Sequence, residues 1–163
     1  MNKLKITLVF LLIATVTFAQ ESPRKQATGK VGEVTVDVDY GAPSVKGRTI
    51  WGELVPYGEV WRAGANENTT ISFDTDVAIG ETTVPAGKYG FFIIPNEDAD
   101  WVIILSSKND AWGAFSYSES EDVLRLNVTP EFVDENQEQL NYTIGNEGIR
   151  FAWEKATFNI PIE

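Results

Sequence analysis

The chain has 163 residues and a formal net charge of −11, from 13 Lys and Arg against 24 Asp and Glu, and it contains neither His nor Cys. The missing side chains exclude disulfides, thiolate or imidazole nucleophiles and bases, the Ser-His-Asp triad and the common Cys or His metal sites. The acidic balance argues against nucleic-acid binding, which needs cations facing phosphates, and the length suits one domain that buries its own core.

Lys3 and Lys5 precede an apolar run over residues 6–18, and Thr17-Phe18-Ala19 follows with small residues at the −3 and −1 positions of a cleavage site. This is the pattern of a signal peptide over residues 1–19. The run is shorter than the ~20 residues a membrane helix needs, so no membrane span is expected. No Cys follows it to carry a lipid. The expected location is therefore periplasmic or secreted. Cleavage removes two lysines and no acid, which leaves the mature chain still more acidic.

Residues 20–30 are polar, contain Pro23 and Gly29, and read as a linker. Residues 31–163 read as a single domain. Val34, Val36 and Val38 alternate with Glu33, Thr35, Asp37 and Asp39, the period of a half-buried strand. Ile71 and Phe73, then Val77 and Ile79, repeat it, and Pro85-Ala86-Gly87 reads as a turn. Tyr89-Gly90-Phe91-Phe92-Ile93-Ile94 and Trp101-Val102-Ile103-Ile104-Leu105 are near-continuous apolar runs, as strands covered on both faces are. Alternation resumes at Leu124, Leu126 and Val128, at Leu140, Tyr142 and Ile144, at Ile149, Phe151 and Trp153, and at Phe158, Ile160 and Ile162. Gly145-Asn146-Glu147-Gly148 reads as a four-residue hairpin loop. Short helical turns are expected at 50–54 and 130–136. The pattern predicts an all-β fold, an antiparallel β-sandwich, jelly-roll-like or barrel-like, of about eight or nine strands.

Between Asp39 and Thr69 the alternation stops. Long loops within a compact domain are uncommon and usually functional or disordered. This one carries Tyr40, Trp51, Tyr57 and Trp61, punctuated by Gly41, Gly47, Gly52, Gly58 and Gly64, which is the composition of an ordered, turn-rich segment. Lys46, Arg48 and Arg62 are concentrated in it. The planar donor fork of Arg62 suits a carboxylate, a phosphate or several carbonyls, and Asn66 and Glu67 follow closely. The competing reading is that these three side chains satisfy the loop's own backbone groups.

Tyr40-Gly41-Ala42-Pro43-Ser44-Val45-Lys46-Gly47-Arg48 and Gly52-Glu53-Leu54-Val55-Pro56-Tyr57-Gly58-Glu59-Val60-Trp61-Arg62-Ala63-Gly64-Ala65-Asn66-Glu67 together resemble the hallmark of the domain of unknown function 2911 family. Pro85-Ala86-Gly87-Lys88-Tyr89, Trp112-Gly113-Ala114-Phe115 and Asp122-Val123-Leu124-Arg125 are similar to its later motifs. The resemblance implies export in Bacteroidetes-type bacteria and brings no activity, substrate or catalytic residue with it.

Other constellations are weaker. Asn96-Glu97-Asp98-Ala99-Asp100 starts like a calcium loop, but Trp101 stands where Gly is needed and Ser107 where Glu is needed, so a polar hairpin tip explains it better. Ser22-Pro23-Arg24-Lys25 matches a Ser-x-x-Lys string without its companion motifs. No metal or cofactor is expected. The expected function is a non-catalytic binding module for a small molecule, glycan or peptide. Arg62 would anchor a polar group, Asn66 would hydrogen-bond, Trp61 and Trp112 would stack, and Arg48, Trp51, Tyr57 and Glu67 would complete the site. The alternatives are a hydrolase or isomerase using Glu67 or Glu53 with Arg62 and Tyr57, and a structural envelope protein with an exposed apolar patch.

Overall fold

The computed structural model describes residues 21–163, so the signal segment expected at 1–19 lies outside the described residues. Ten strands and one short 3-10 turn account for the regular structure: β1 (Arg24–Val31), β2 (Val34–Gly41), β3 (Thr69–Phe73), β4 (Val77–Ile79), β5 (Thr82–Val84), β6 (Gly87–Ile94), β7 (Trp101–Ser106), β8 (Asp122–Val128), β9 (Glu131–Gly145) and β10 (Gly148–Pro161), with the 3-10 turn at Glu119–Glu121. No described helix is long and apolar enough to cross a membrane.

Six strands form one antiparallel sheet in the order β1-β2-β3-β6-β7-β8. The long β9–β10 ribbon and the small β4–β5 hairpin supply the opposing layer, and none of the sheets closes into a barrel. Side chains from both layers share one core, with Val36, Val38, Ile71, Phe91, Ile93 and Ile103 from the large sheet meeting Leu140, Tyr142, Phe151, Trp153 and Phe158 from the ribbon. Burial of this apolar area is the main stabilising term in a domain without cross-links. The expected sandwich is the observed fold.

The inner strands follow their sequence pattern. Phe91 and Ile93 face the shared core, while Phe92 and Ile104 point to the opposite face and are also buried. Tyr117 covers that outer face, its ring 5.2 Å from that of Phe92. Both faces are therefore dry, which is why these strands are apolar without alternation.

Four local expectations are corrected. Residues 24–30, read as linker, belong to strand β1, which pairs with β2 in unbroken register from Arg24↔Gly41 to Val31↔Val34. It occupies the sheet edge with most of its side chains in solvent, so burial imposed no alternation on its sequence. Residues 131–136 are strand and not a helical turn, because the first half of β9 is exposed on both faces. Residues 50–54 form a non-helical turn closed by Val55 N–H donating to Ile50 O at 2.9 Å and Gly52 N–H donating to Val55 O at 2.9 Å. Gly145 pairs with Gly148, so the β9–β10 hairpin turns in two residues and not four.

Candidate functional site

The long segment joining β2 to β3, residues 42–68, is an ordered loop held at many points. Ala42 N–H donates to Pro23 O at 2.8 Å and Val45 N–H to Glu138 O at 2.7 Å, while Leu140 N–H donates to Pro43 O at 2.9 Å. Further along, Trp61 and Ile93 exchange backbone hydrogen bonds of 2.8 and 2.9 Å, which fastens the loop to β6. Arg24 on β1 clamps its end, donating to the carbonyls of Glu67 at 3.1 Å and Asn68 at 3.2 Å while pairing with the Asp39 carboxylate. The loop's backbone groups are thus satisfied largely by neighbouring strands and by Arg24, not by Arg62.

Two tryptophans of the loop are core residues. Trp51 is 9% exposed and Trp61 8%. Trp51 packs against Trp101 with ring centroids 4.5 Å apart, and Trp61 stacks on Trp153 at 5.4 Å. Trp61 also donates its indole N–H to Gly64 O at 3.1 Å. With their faces taken up by other rings, neither offers a platform for a sugar ring. What they do is seat the loop: an aromatic pair of this kind adds ~1 kcal/mol beyond its buried area.

Between these anchors the surface is concave. One hollow of about 270 Å³, open to solvent, is lined by Ser22, Arg48, Leu54, Trp61, Arg62 and Asn66 among others. A second, of about 300 Å³, is lined by Leu54, Pro56, Glu59, Val60, Trp61, Arg62 and Phe115 among others. Leu54, Val55, Trp61 and Arg62 belong to both, so the two adjoin along these residues. A third, polar hollow continues from Arg48 and Ser22 past Lys46 to Glu21 and Gln139.

Arg62 stands at the junction of the first two. Its Nε is buried and has no hydrogen-bond partner, and none of the ion pairs among the described residues involves it. Burial lowers the guanidinium from its ordinary pKa, although an arginine stays protonated under any physiological condition. A partly desolvated cation without a counter-charge is costly to keep, and such groups are normally paired. Arg48 differs: it donates to Val45 O at 3.0 Å and to Ser44 O at 2.5 Å, and so braces its own turn. Asn66, in the left-handed region at φ 63°, donates through Nδ2 to Ser22 O at 3.4 Å, and its carbonyl accepts from Gly113 N–H at 3.1 Å.

Of the side chains expected to build the site, Arg48, Trp61, Arg62 and Asn66 line one hollow. Glu67 and Trp112 form a backbone bridge to each other but line neither hollow beside Arg62. The Glu67 carboxylate is solvent-exposed and 4.0 Å from Arg24, and Trp112 is 57% exposed. Tyr57 is half-buried against Gly52 and lines neither hollow; its hydroxyl is held above the usual tyrosine pKa by desolvation and then by the charges of Glu97, Asp98 and Glu154. Glu53 is exposed. A carboxylate base enclosed with Arg62 is therefore not assembled from Glu53 or Glu67.

Several lining residues were missing from the expected set, Ser22, Leu54 and Phe115 among them. Ser22 belonged to the expected linker. Leu54 carried no local signal. Phe115, 93% exposed, lies in the aromatic, glycine-containing segment 112–117, and its exposure is a property of the fold. Elsewhere, Asn96 Nδ2 donates to Asp100 O at 2.7 Å, and the Asp100 carboxylate accepts from Thr129 Oγ1 at 2.7 Å, so these side chains shape the β6–β7 turn. No group of three or more metal-ligating side chains occurs among the described residues.

The family described as "Protein of unknown function (DUF2911)" matches residues 22–162. No curated protein and no solved structure matches the chain.

Proposed function

The chain belongs to the DUF2911 family, and from that premise we propose that the mature protein is an exported, non-catalytic binding module that receives an anionic group of its ligand at Arg62. Export to the periplasm or beyond rests on the basic, apolar and small-residue pattern of residues 1–19. The binding reading rests on one observation: a partly buried guanidinium with an unpartnered Nε lines two adjoining hollows in a strongly acidic protein. A carboxylate or phosphate would meet the guanidinium through its terminal nitrogens, since Nε itself is closed to solvent, in the bidentate geometry that arginine favours. This chemistry favours a small acid or a peptide carboxylate over a neutral glycan, since Trp51 and Trp61 have no free face for sugar stacking.

The Arg62 side-chain Nε–H resonance of the mature chain provides the test. Acetate, inorganic phosphate and glucuronate are titrated in turn against wild type and R62Q. Saturable shifts of that resonance, with matching shifts of Asn66 and Trp61 amides absent in R62Q, are expected with at least one anion. Silence of all three anions at Arg62 overturns the proposal. Export is tested separately by the N-terminus of the protein recovered from its native cells, expected after Ala19; a retained Met1 sinks that part.

A further inference from the structure

We infer that the Arg62 site takes small amphipathic monocarboxylates, with the carboxylate on Arg62 and an apolar body against Phe115 and Leu54; this rests on the reading of Arg62 as an anion anchor. The two hollows that share Arg62 differ in character. On one side stand Ser22, Arg48 and Asn66; on the other, Pro56, Val60 and Phe115. An occupant spanning the junction meets polar groups at one end and apolar surface at the other.

Phe115 is 93% exposed and Leu54 44%, and both line the apolar hollow. Single exposed apolar residues need no explanation, but two at the mouth of one concavity, beside an unpartnered cation, define a mixed surface. Covering them removes apolar area from water, and that gain adds to the charge-assisted hydrogen bonds at Arg62. A neutral alcohol would use only the first contribution and a bare anion only the second.

The charges in the lining limit the ligand to a single negative charge. Glu59 lines the apolar hollow together with Arg62, and Glu21 lines the polar extension next to Lys46. Each would repel the additional charges of a polyphosphate or a polyuronate. Phe115 lies close to the Gly113 turn. Gly113 has φ 66°, and a Cβ there would come within 3.1 Å of the Phe115 ring.

Octanoate, acetate and 1-octanol are titrated against the mature protein, followed by the Arg62 Nε–H resonance and by tryptophan fluorescence. Octanoate is expected to bind roughly tenfold or more tighter than either of the others, since it alone uses both halves of the site. R62Q and R62K are both expected to weaken octanoate, the second because an ammonium lacks the donor fork. F115S weakens octanoate and leaves acetate unchanged, while E59Q strengthens both anions. Circular dichroism of each variant checks the fold, and R62K, the conservative change, keeps the test usable should R62Q unfold.

Equal affinity for acetate and octanoate, with no effect of F115S, overturns the amphipathic class and leaves the anion site standing. No response at Arg62 to any anion overturns both readings. Octanol binding as tightly as octanoate, unaffected by R62Q, reduces the surface to general apolar adhesion and overturns the inference.

Discussion

Tyr142 on β9 donates its hydroxyl hydrogen to the carbonyl oxygen of Ala63 at 2.8 Å, joining two buried residues that lie far apart in the chain. The same oxygen accepts from Thr69 Oγ1 at 3.0 Å. Ala63 sits in the left-handed region at φ 53°, directly beside Arg62. A non-glycine residue there persists only when its surroundings hold it. These two hydrogen bonds therefore fix the backbone that aims Arg62. Y142F keeps the ring contacts with Tyr40 and Phe151 and leaves Thr69 on the carbonyl, so urea unfolding should show a loss of only ~1 kcal/mol. T69V alone should cost a similar amount. The double variant orphans the buried carbonyl and should lose clearly more than the sum of the two. Simple additivity would mean that the oxygen finds another partner.

Gly41 makes a second prediction about how the loop is seated. The loop returns so closely to the end of β2 that a Cβ on Gly41 would lie 2.0 Å from the Ala65 carbonyl oxygen. Ala65 N–H in turn donates to Gly41 O at 3.1 Å, so the two backbones are locked together. The obstacle is main chain and cannot rotate away. G41A should destabilise by about 3 kcal/mol or more, or prevent folding. G47A serves as a comparison, because a Cβ at Gly47 meets nothing within 4 Å and only its positive φ of 67° is penalised. That strain should cost about 1 kcal/mol. Equal melting temperatures for the two variants would show that the contact at Gly41 relaxes.

Which parts of this structure could be read from sequence follows from what burial demands of each residue. Val36 and Val38 face a dry core across from solvated Thr35 and Asp37, so their alternation is forced and legible. β1 and the first half of β9 are wet on both faces and carry no such constraint, so their polar sequences resembled a linker and a turn. Trp51 and Trp61 show the limit for the site. Their position in a glycine-rich loop marks the segment as ordered, but an aromatic that stacks on a ligand and one that stacks on Trp101 or Trp153 have the same local sequence. Arg62 was visible as a cation in a basic stretch of an acidic chain. Its isolation was not, because which carboxylates approach a side chain depends on contacts between distant segments. Glu67 is five residues away in sequence, yet its carboxylate lies by Arg24.

Alkaline pH should expose the tyrosines as a group. The chain has five, and all five are held above the ordinary tyrosine pKa: Tyr40, Tyr57, Tyr89, Tyr117 and Tyr142, with desolvation the largest cause in each. Tyr117 is raised to about 12, by burial first and then by its 2.8 Å hydrogen bond to the Asp122 carboxylate. A proton bound more tightly in the folded state stabilises the fold. For Tyr117 that stabilisation is complete below the unfolded value near 10 and is lost as pH rises toward about 12. Tyrosinate absorbance at 295 nm should therefore lag well behind that of the urea-unfolded chain in the same window. Urea midpoints should fall steadily with pH across it. Y117F should show a shallower fall, since it removes one of the five contributions. Coincident folded and unfolded titration curves would contradict the burial of these hydroxyls.

The sharpest prediction separates a functional Arg62 from a structural one through stability alone. Arg62 is half-buried, its Nε has no acceptor, and no ion pair of the described residues includes it. The loop's main-chain groups are satisfied by β6, β9, Pro23 and Arg24 instead. A side chain that holds the loop is missed when removed; one kept for a ligand is a burden without it. R62M keeps an unbranched apolar stem and removes the desolvated charge. In the absence of ligand it should be neutral or more stable by about 1 kcal/mol, which for a domain of this size is a rise of roughly 2–4 °C in Tm. The same change should abolish the octanoate response. R24A is the structural counterpart: it frees the carbonyls of Glu67 and Asn68 and the Asp39 carboxylate together, and should cost about 1–3 kcal/mol. A loss of stability in R62M as large as that in R24A would place Arg62 among the residues that build the loop and withdraw the reason for giving it a ligand.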